Sequence, residues 1–258
     1  MSKAVGGAGV TLSIDLEMAI GRQTKQGQER LEGVTAGLIE LLDNQGISAT
    51  WGVSNPALSA GRDVILTAKS RHEVAVLGER YWLGDGTTPS RLAQEFERRF
   101  EGARRAGLKV STLLLRQTAE HLDLNLLVGH GITAVRGPAV LASANSVDCR
   151  QGAMRFGTWQ MPCPILLPSS GSWWQAEPWA FEQRLNRAIR REMPLHLVLD
   201  AGRLAERSDL GLPRVEKVIK RLGQLQQDQK LRFLTLAEIA WNNLSRRASQ
   251  PSRSALAA

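Results

Sequence analysis

Short apolar runs and longer amphipathic segments alternate along this chain of 258 residues, and this alternation constrains the fold more than any other feature. The runs have the length of β-strands, whereas the segments between them repeat apolar residues at helical spacing. Strands that alternate with helices pair in parallel, which gives a doubly wound sheet or a barrel. The seven strand-like runs are residues 10–14, 47–53, 73–77, 110–115, 132–135, 195–199 and 231–234. Seven strands in a chain of this length favour an α/β barrel.

The remaining segments divide into helices, one irregular stretch and a tail. We predict helices over residues 28–45, 56–68, 89–106, 121–130, 178–193, 212–229 and 237–244. Gly46 is the expected stop of the first of them. Residues 137–177 are rich in Ser, Pro and Trp without a regular period, so they are predicted to be irregular. We expect one domain over residues 10–244 and a disordered basic tail over residues 245–258.

Several classes of protein are excluded by features that the sequence lacks. No apolar run approaches the ~18–20 residues of a membrane span. The first residues contain no sustained apolar stretch of the kind found in a secretory signal, so we expect a soluble, cytoplasmic protein. Neither a GxGxxG nor a GxxxxGK[ST] motif follows the first strand, which argues against dinucleotide and P-loop nucleotide binding.

The positive charge of the chain is concentrated in its C-terminal third. The net charge is +8, from 33 Lys and Arg against 25 Asp and Glu. Residues 184–258 contain 15 basic and 7 acidic residues, whereas the rest of the chain is balanced at 18 of each. Such a region can attract polyanions. Aromatic residues do not interleave with this charge, so we expect no nucleic-acid partner.

Polar side chains stand where the predicted strands end. In parallel α/β folds the chemistry collects at the carboxyl ends of the strands. The residues found there are Asp15, Glu17, Trp51, Glu79, Tyr81, Arg116, Arg136 and Asp200. Asp15 and Glu17 are two residues apart, so they share one face of an extended strand. We predict a site built from these side chains.

The order of several segments resembles the polysaccharide deacetylases, also called the NodB-homology group or carbohydrate esterase family 4. TLSIDLE resembles the first motif of the family, HEVAVLG the opening of the second, and PLHLVLDAGRL its histidine-containing strand. GLIELLDNQGISATWGV and RLGQLQQDQKLRFLTLAEIA are similar to flanking helix–strand units, and Arg116 stands at the arginine of the third motif. The resemblance extends from residue 10 to about residue 244. It implies a distorted (β/α)-barrel of about seven parallel strands.

Members of this family remove acetyl groups from sugar polymers, using a divalent metal held by one acid and two histidines. The resemblance places Asp15 at the general base and Asp200 at the position of the general-acid histidine. Leu77 and Tyr81 stand where the family has its two histidine ligands. Leucine offers no donor atom, so we expect no zinc and no other required cofactor. An all-oxygen site for a divalent metal at Asp15 and Glu17 stays open.

Two functions from different classes follow from these residues. The first is a non-catalytic relative that binds a carbohydrate or another small anionic ligand, with Asp15 and Asp200 paired to arginines. The second is a divergent hydrolase that removes acyl groups from amino sugars with an acid-rich site. The candidate catalytic residues are Asp15, Arg116 and Asp200, and the candidate substrate-binding residues are Glu17, Trp51, Glu79, Tyr81 and Arg136. A third alternative is a polyanion binder that uses the basic C-terminal third.

Overall fold

The computed structural model describes residues 7–17, 24–59, 62–84, 86–116, 124–138, 153–155, 158–161, 165–167, 178–206 and 208–248. Its strands are β1 (Ala8–Asp15), β2 (Thr50–Val53), β3 (Glu73–Gly78), β4 (Thr112–Leu115), β5 (Ala134–Arg136), β6 (Ala153–Arg155), β7 (Thr158–Met161), β8 (Ile165–Leu166), β9 (Leu195–Asp200) and β10 (Leu231–Phe233). All of them lie in one sheet, of order β6-β7-β5-β4-β3-β2-β1-β9-β8, and β10 also pairs with β1.

The helices lie between successive strands along the chain, except the last helix, which follows the last strand. They are α1 (Lys25–Gln45), α2 (Arg62–Thr67), α3 (Arg80–Leu83), α4 (Pro89–Phe96), α5 (Gly102–Arg105), α6 (Leu124–Gly129), α7 (Pro178–Arg191), α8 (Ala201–Glu206), α9 (Ser208–Gln227) and α10 (Leu236–Ala248). A π-helical turn, Glu97–Glu101, joins α4 to α5. Among the described residues, no helix is both long and apolar enough to cross a bilayer.

The seven strands that the sequence predicts all form, as β1 to β5, β9 and β10, and they pair in parallel. They curl into a half-barrel, which confirms the predicted distorted (β/α)-barrel. Strand β1 pairs with three other strands. Its first residues pair with β10, its last residues pair with β2, and its other edge pairs with β9 over Val10–Asp15.

Local sequence signals explain the longest predicted helix. The Thr24 hydroxyl accepts a hydrogen bond from the Gly27 N–H at 3.0 Å and caps the start of α1. Val34, Leu38 and Leu42 recur at helical spacing and are buried. Gly46 ends the helix with φ +63°, a left-handed conformation that glycine adopts without steric cost. The predicted stop at Gly46 is therefore confirmed.

The structure corrects several boundaries. Residues 137–177, predicted to be irregular, contain the short strands β6, β7 and β8. Strands of two to four residues show too little alternation to be recognised in a sequence. Helix α2 covers only Arg62–Thr67, and α10 continues to Ala248, so the first residues of the predicted disordered tail are helical. The other tail residues, 249–258, lie outside the described residues.

On the inner face of the half-barrel, polar side chains of β1 and of the end of β5 lie beside an apolar patch on β3 and β4. The pairing register puts Asp15, Gly52 and Ala75 in one row and Leu77, Leu114 and Arg136 in another, all on the same face. The apolar part, with Leu77 and Leu114, packs against Leu236 and Ala240 of α10. This helix is joined to the strands by Glu73, whose carboxylate accepts hydrogen bonds from the Ala237 N–H and the Thr50 hydroxyl. The polar part holds the site described below.

Candidate functional site

The strand register brings the two predicted aspartates together. Asp15 ends β1, Asp200 ends β9, and the two residues are direct partners in the parallel pairing. Both side chains point to the inner face, and both residues are buried. Two carboxylates this close would repel each other strongly without nearby positive charge.

Asp15 is paired with Arg136 from the end of β5. Arg136 Nη1 donates to Asp15 Oδ1 at 2.8 Å, and Nη2 donates to Oδ2 at 3.2 Å, so the pair is bidentate. The guanidinium also donates to the Ser13 hydroxyl at 3.1 Å and to the Leu115 carbonyl at 3.0 Å. Arg136 is 0% exposed. Burying an arginine costs less free energy when a carboxylate neutralises its charge. Asp15 therefore stabilises the folded chain by pairing with Arg136.

Asp200 is paired with Arg116, the residue that follows β4. Arg116 Nη2 donates to Asp200 Oδ2 at 2.8 Å, and Arg116 Nη1 donates to the Glu17 carbonyl at 3.3 Å. Burial by itself lowers the pKa of Arg116, but the carboxylates of Asp200 and Asp15 outweigh it and raise that pKa. Asp200 also accepts the N–H of Arg203 at 3.0 Å and thereby caps helix α8.

A second pair of carboxylates, Glu17 and Glu79, lies beside Ser54. The Ser54 N–H donates to Glu17 Oε1 at 2.8 Å, and the Ser54 hydroxyl donates to Glu79 Oε2 at 3.0 Å. Burial, followed by the negative charge of Glu79, raises the pKa of Glu17 to about 7. Glu17 therefore changes its charge near neutral pH, which is the range in which a carboxyl group can exchange protons with a ligand or substrate.

Sequence reasoning missed Ser54 and Arg99. Arg99 is 0% exposed, donates to the Ser54 carbonyl at 2.8 Å, and lies over the Trp82 ring with its guanidinium carbon 4.2 Å from the centroid. It also forms an ion pair with Glu95. Arg99 thus fixes the backbone of the residue that binds both glutamates. Glu95 and Arg99 are four residues apart in a charged helix, a spacing that is ordinary on solvated helix faces and so gives no signal of burial.

A buried histidine lies below the ionic pairs, on the same face of the sheet. His196 is hydrogen-bonded to the Thr11 hydroxyl and lies 3.3 Å from the Ser13 hydroxyl. Burial, together with the charge of Arg136, holds the pKa of His196 well below its usual range, so the ring is neutral. Ser13 contacts both His196 and Arg136, which extends the polar network from the strand end into the barrel.

Two predicted substrate-binding residues differ from this group. Trp51 is 0% exposed and packs edge-on against His72, with ring centroids 5.6 Å apart. Its neighbour Gly52 shares the inner face with Asp15, so alternation directs Trp51 to the opposite face, under the helices. Trp51 therefore offers no surface to a ligand, in contrast to the sequence-based expectation. The backbone of Tyr81 lies in α3, and its side chain is outside the described residues.

Leu77, which the resemblance to the polysaccharide deacetylases places at a histidine ligand of the metal, offers no donor atom to a zinc ion. Leu77 is 0% exposed, and its side chain packs with that of Leu114. A Cβ atom added at neighbouring Gly52 would lie 2.7 Å from Leu114 Cδ1, so this part of the interior is filled by hydrocarbon. Both oxygens of Asp15 already accept hydrogen bonds from Arg136. A metal ion bound to Asp15 would compete with Arg136 for the same two oxygens.

No protein-family model matches the sequence, and the search of curated proteins finds no matching relative. The fold nevertheless matches solved structures. A candidate polysaccharide deacetylase from Mycobacterium smegmatis superposes with a TM-score of 0.66 at 14% identity, covering 99% of this chain and 98% of that one. The peptidoglycan deacetylase PdaC from Bacillus subtilis, in a mutant form, matches with a TM-score of 0.51 at 9% identity, covering 95% and 96%.

A 4-alpha-glucanotransferase from Thermococcus litoralis matches with a TM-score of 0.61 at 11% identity. The match covers 90% of this chain and 40% of the larger enzyme. Identities this low establish the fold and leave function to the residues of the site. The chain has the fold of the polysaccharide deacetylases.

Proposed function

We propose that this protein is a divergent member of the polysaccharide deacetylase family that has lost the metal-dependent reaction and binds a carbohydrate at its strand ends. The observation that supports this proposal most is the bidentate pair between Asp15 and the buried Arg136. The family's general base would need a carboxylate free to accept a proton from water. In this chain both oxygens of that carboxylate accept hydrogen bonds from a buried arginine.

The charges around the strand ends favour a neutral sugar over an anion. Arg136 and Arg116 both already face carboxylates. Glu17 and Glu79 contribute two further carboxyl groups. The hydrogen bonds described for them come from Ser54 and not from an arginine. An anionic ligand would be repelled by this excess of carboxylates, whereas sugar hydroxyls can donate to carboxylates and accept from Arg116, whose side chain is 26% exposed. Carbohydrate is therefore the preferred ligand class.

The test combines binding and turnover on the same acetylated amino-sugar oligomers. We expect the wild-type chain to bind them in a calorimetric titration and to release no acetate, with or without Mg²⁺, Mn²⁺ or Zn²⁺. At pH 8, where Glu17 is ionised, Glu17→Gln should weaken binding about tenfold or more, because the glutamine leaves a sugar hydroxyl without a charged acceptor; Glu17 is the partly exposed member of the acidic pair. Glu40→Gln, an exposed change on α1, is the matched control and should bind as wild type does. Metal-dependent acetate release that Asp15→Asn abolishes would contradict the proposal.

The hydrolase alternative is supported by Glu17. A carboxyl group with a pKa of about 7 is suited to act as a general acid or base at neutral pH. If the chain is an acid-rich hydrolase, it should release acetate without added metal, with a pH–rate profile that bends near pH 7. Glu17→Gln should then lower the rate about 10²–10⁴-fold. Bound sugar with no acetate release would exclude this alternative.

Three further expectations remain predictions. One is the all-oxygen metal site at Asp15 and Glu17, which would have to displace Arg136 from Asp15. Another is polyanion binding by the exposed basic residues of α7 and α9, among them Arg187, Arg190 and Lys217. A steep dependence of binding on salt concentration would support the polyanion alternative. The third is a cytoplasmic location, which fractionation of the native cells would test.

A further inference from the structure

Three metal-ligating side chains converge in the helical layer, away from the strand ends. They are Glu97, Glu101 and His130, and each has a ligand atom within 4.8 Å of the ligand atoms of the other two. Glu97 and Glu101 are the first and last residues of the π-helical turn, and His130 directly follows α6. None of the three belongs to the carbohydrate site proposed above, so this arrangement calls for its own explanation.

The two glutamates face the same side of the helix. Residues four apart lie on one helix face, where two negative charges destabilise the helix unless a cation is near. Arg104 Nη2 lies 2.8 Å from Glu101 Oε1, and the Arg104 side chain is 63% exposed. No ion pair between Arg104 and Glu97 is described. A π-helical turn interrupts regular α-helical spacing, and such turns occur often at functional sites.

The imidazole is held by aromatic packing. The His130 ring lies against Phe96 and Phe100, with centroid distances of 5.8 Å to each. The two phenylalanines are themselves stacked at 5.4 Å and are buried. This packing fixes the plane of the imidazole, and one of its nitrogens lies within 4.8 Å of an oxygen of each carboxylate. A preset ligand loses less conformational freedom when it binds a metal.

We propose that Glu97, Glu101 and His130 bind one divalent transition-metal ion of the Zn²⁺ type. One imidazole and two carboxylates form a ligand set that suits Zn²⁺, and water would complete the coordination. Mg²⁺ and Ca²⁺ prefer oxygen ligands alone, so the histidine disfavours them. The ion would join the end of α6 to the π-helical turn. Because it binds the folded chain only, it would raise thermal stability.

The test is a calorimetric titration of the full chain with Zn²⁺ after treatment with a chelator. Alkylation of Cys149 and Cys163, which lie outside the described residues, removes thiols as competing ligands. We expect one binding event per chain and a rise in melting temperature. Glu97→Gln should weaken binding at least about tenfold, whereas Glu32→Gln, an exposed change on α1, should leave it unchanged. Arg104→Ala should strengthen binding about twofold to fivefold, because it removes the competing ion pair.

Proton NMR of the histidine rings gives an independent result. Zn²⁺ should shift one imidazole resonance, and the resonance that shifts should be missing from the spectrum of His130→Gln. Zn²⁺ binding with equal affinity in wild type, Glu97→Gln and Glu101→Gln would overturn the proposal. So would a shift confined to the resonances of the other histidines. Because no strand-end residue is changed, failure here would leave the proposed carbohydrate site untouched.

Discussion

Two pairs of acidic residues at the same end of the barrel have opposite electrostatic settings. Asp15 and Asp200 each accept hydrogen bonds from an arginine, whereas Glu17 and Glu79 accept theirs from Ser54. Each carboxylate of the first pair lies against a fixed positive charge. In the second pair, burial and mutual repulsion raise the pKa of Glu17 to about 7. The comparison indicates that the aspartates stabilise the fold through their arginines, whereas Glu17, which is partly exposed, exchanges its proton near neutral pH.

The largest effect is expected from Asp15→Asn. The change leaves the buried guanidinium of Arg136 without its negative partner, and breaking a buried pair in this way costs about 3–5 kcal/mol. Urea unfolding of the variant and of wild type measures this loss. The matched control is Asp228→Asn, since Asp228 pairs with Lys230 on the surface and should change stability by less than about 0.5 kcal/mol. A loss below about 1 kcal/mol for Asp15→Asn would remove the distinction between the two acidic pairs.

An intermediate effect is expected from Glu17→Gln, and its sign depends on pH. Burial, then Glu79, raises the pKa of Glu17 from the usual 4.5 to about 7, so the folded chain holds the proton more tightly than the unfolded chain. The stability from this group is complete below about pH 4.5 and is lost as the pH rises through about 7. Glu17→Gln should therefore stabilise the protein at pH 8 by about 1–2 kcal/mol and have little effect at pH 4.

Unfolding free energies of wild type and Glu17→Gln across pH 4–8 measure this difference. Glu32→Gln, an exposed glutamate of α1, is the control and should give the same difference from wild type at every pH. If the Glu17→Gln curve runs parallel to the wild-type curve, Glu17 titrates normally and the second acidic pair is no different from the first.

A smaller effect is expected from Asp200→Asn. Asparagine can still accept the hydrogen bond from the Arg203 N–H and cap α8. The Arg116 side chain is partly exposed, so water can solvate its charge when the carboxylate is removed. We expect a loss of about 1 kcal/mol in the same urea experiment. A loss as large as that of Asp15→Asn would mean that the two arginine pairs are equivalent.

The smallest effect is expected from Arg203→Ala. The Arg203 side chain is 59% exposed, and its Nε lies 3.5 Å from Asp200 Oδ2. Surface ion pairs of this kind contribute about 0–1 kcal/mol, so the change in unfolding free energy should be below about 0.5 kcal/mol. A larger change would show that Arg203 belongs to the ionic network at the strand ends.

The sequence predicted the strand ends well because alternation and strand order determine which residues meet there. Asp15, Arg116, Arg136 and Asp200 follow apolar runs, and parallel pairing brings them to one edge. The sequence did not predict which acid pairs with which arginine, since that depends on the distances between strands in the folded barrel. The carbohydrate ligand and the roles of these residues remain proposals.

The errors have separate physical causes. Arg99 lies seven residues after the buried Leu92, so helical spacing places it on the buried face, but its charge and its i,i+4 spacing from Glu95 are typical of a solvated face and concealed this. Trp51 was expected at a strand end, but it is the second residue of β2, and its position next to Gly52 directs it to the helix-covered face. Gly52 pairs with Asp15, and successive side chains of a strand point to opposite faces. The strand pairing therefore places Trp51 on the face opposite to Asp15.

The most direct test of the central claim is a double-mutant cycle between Asp15 and Arg136. The claim is that the Asp15 carboxylate, which the resemblance to the polysaccharide deacetylases places at the general base, stabilises a buried arginine. Unfolding free energies of wild type, Asp15→Asn, Arg136→Met and the double variant give the coupling between the two side chains. We predict a coupling of about 2–3 kcal/mol, with the double variant more stable than Asp15→Asn alone, because methionine leaves no unpaired charge. A coupling near zero would contradict the claim. Asp15 would then be a candidate catalytic carboxylate that is independent of Arg136.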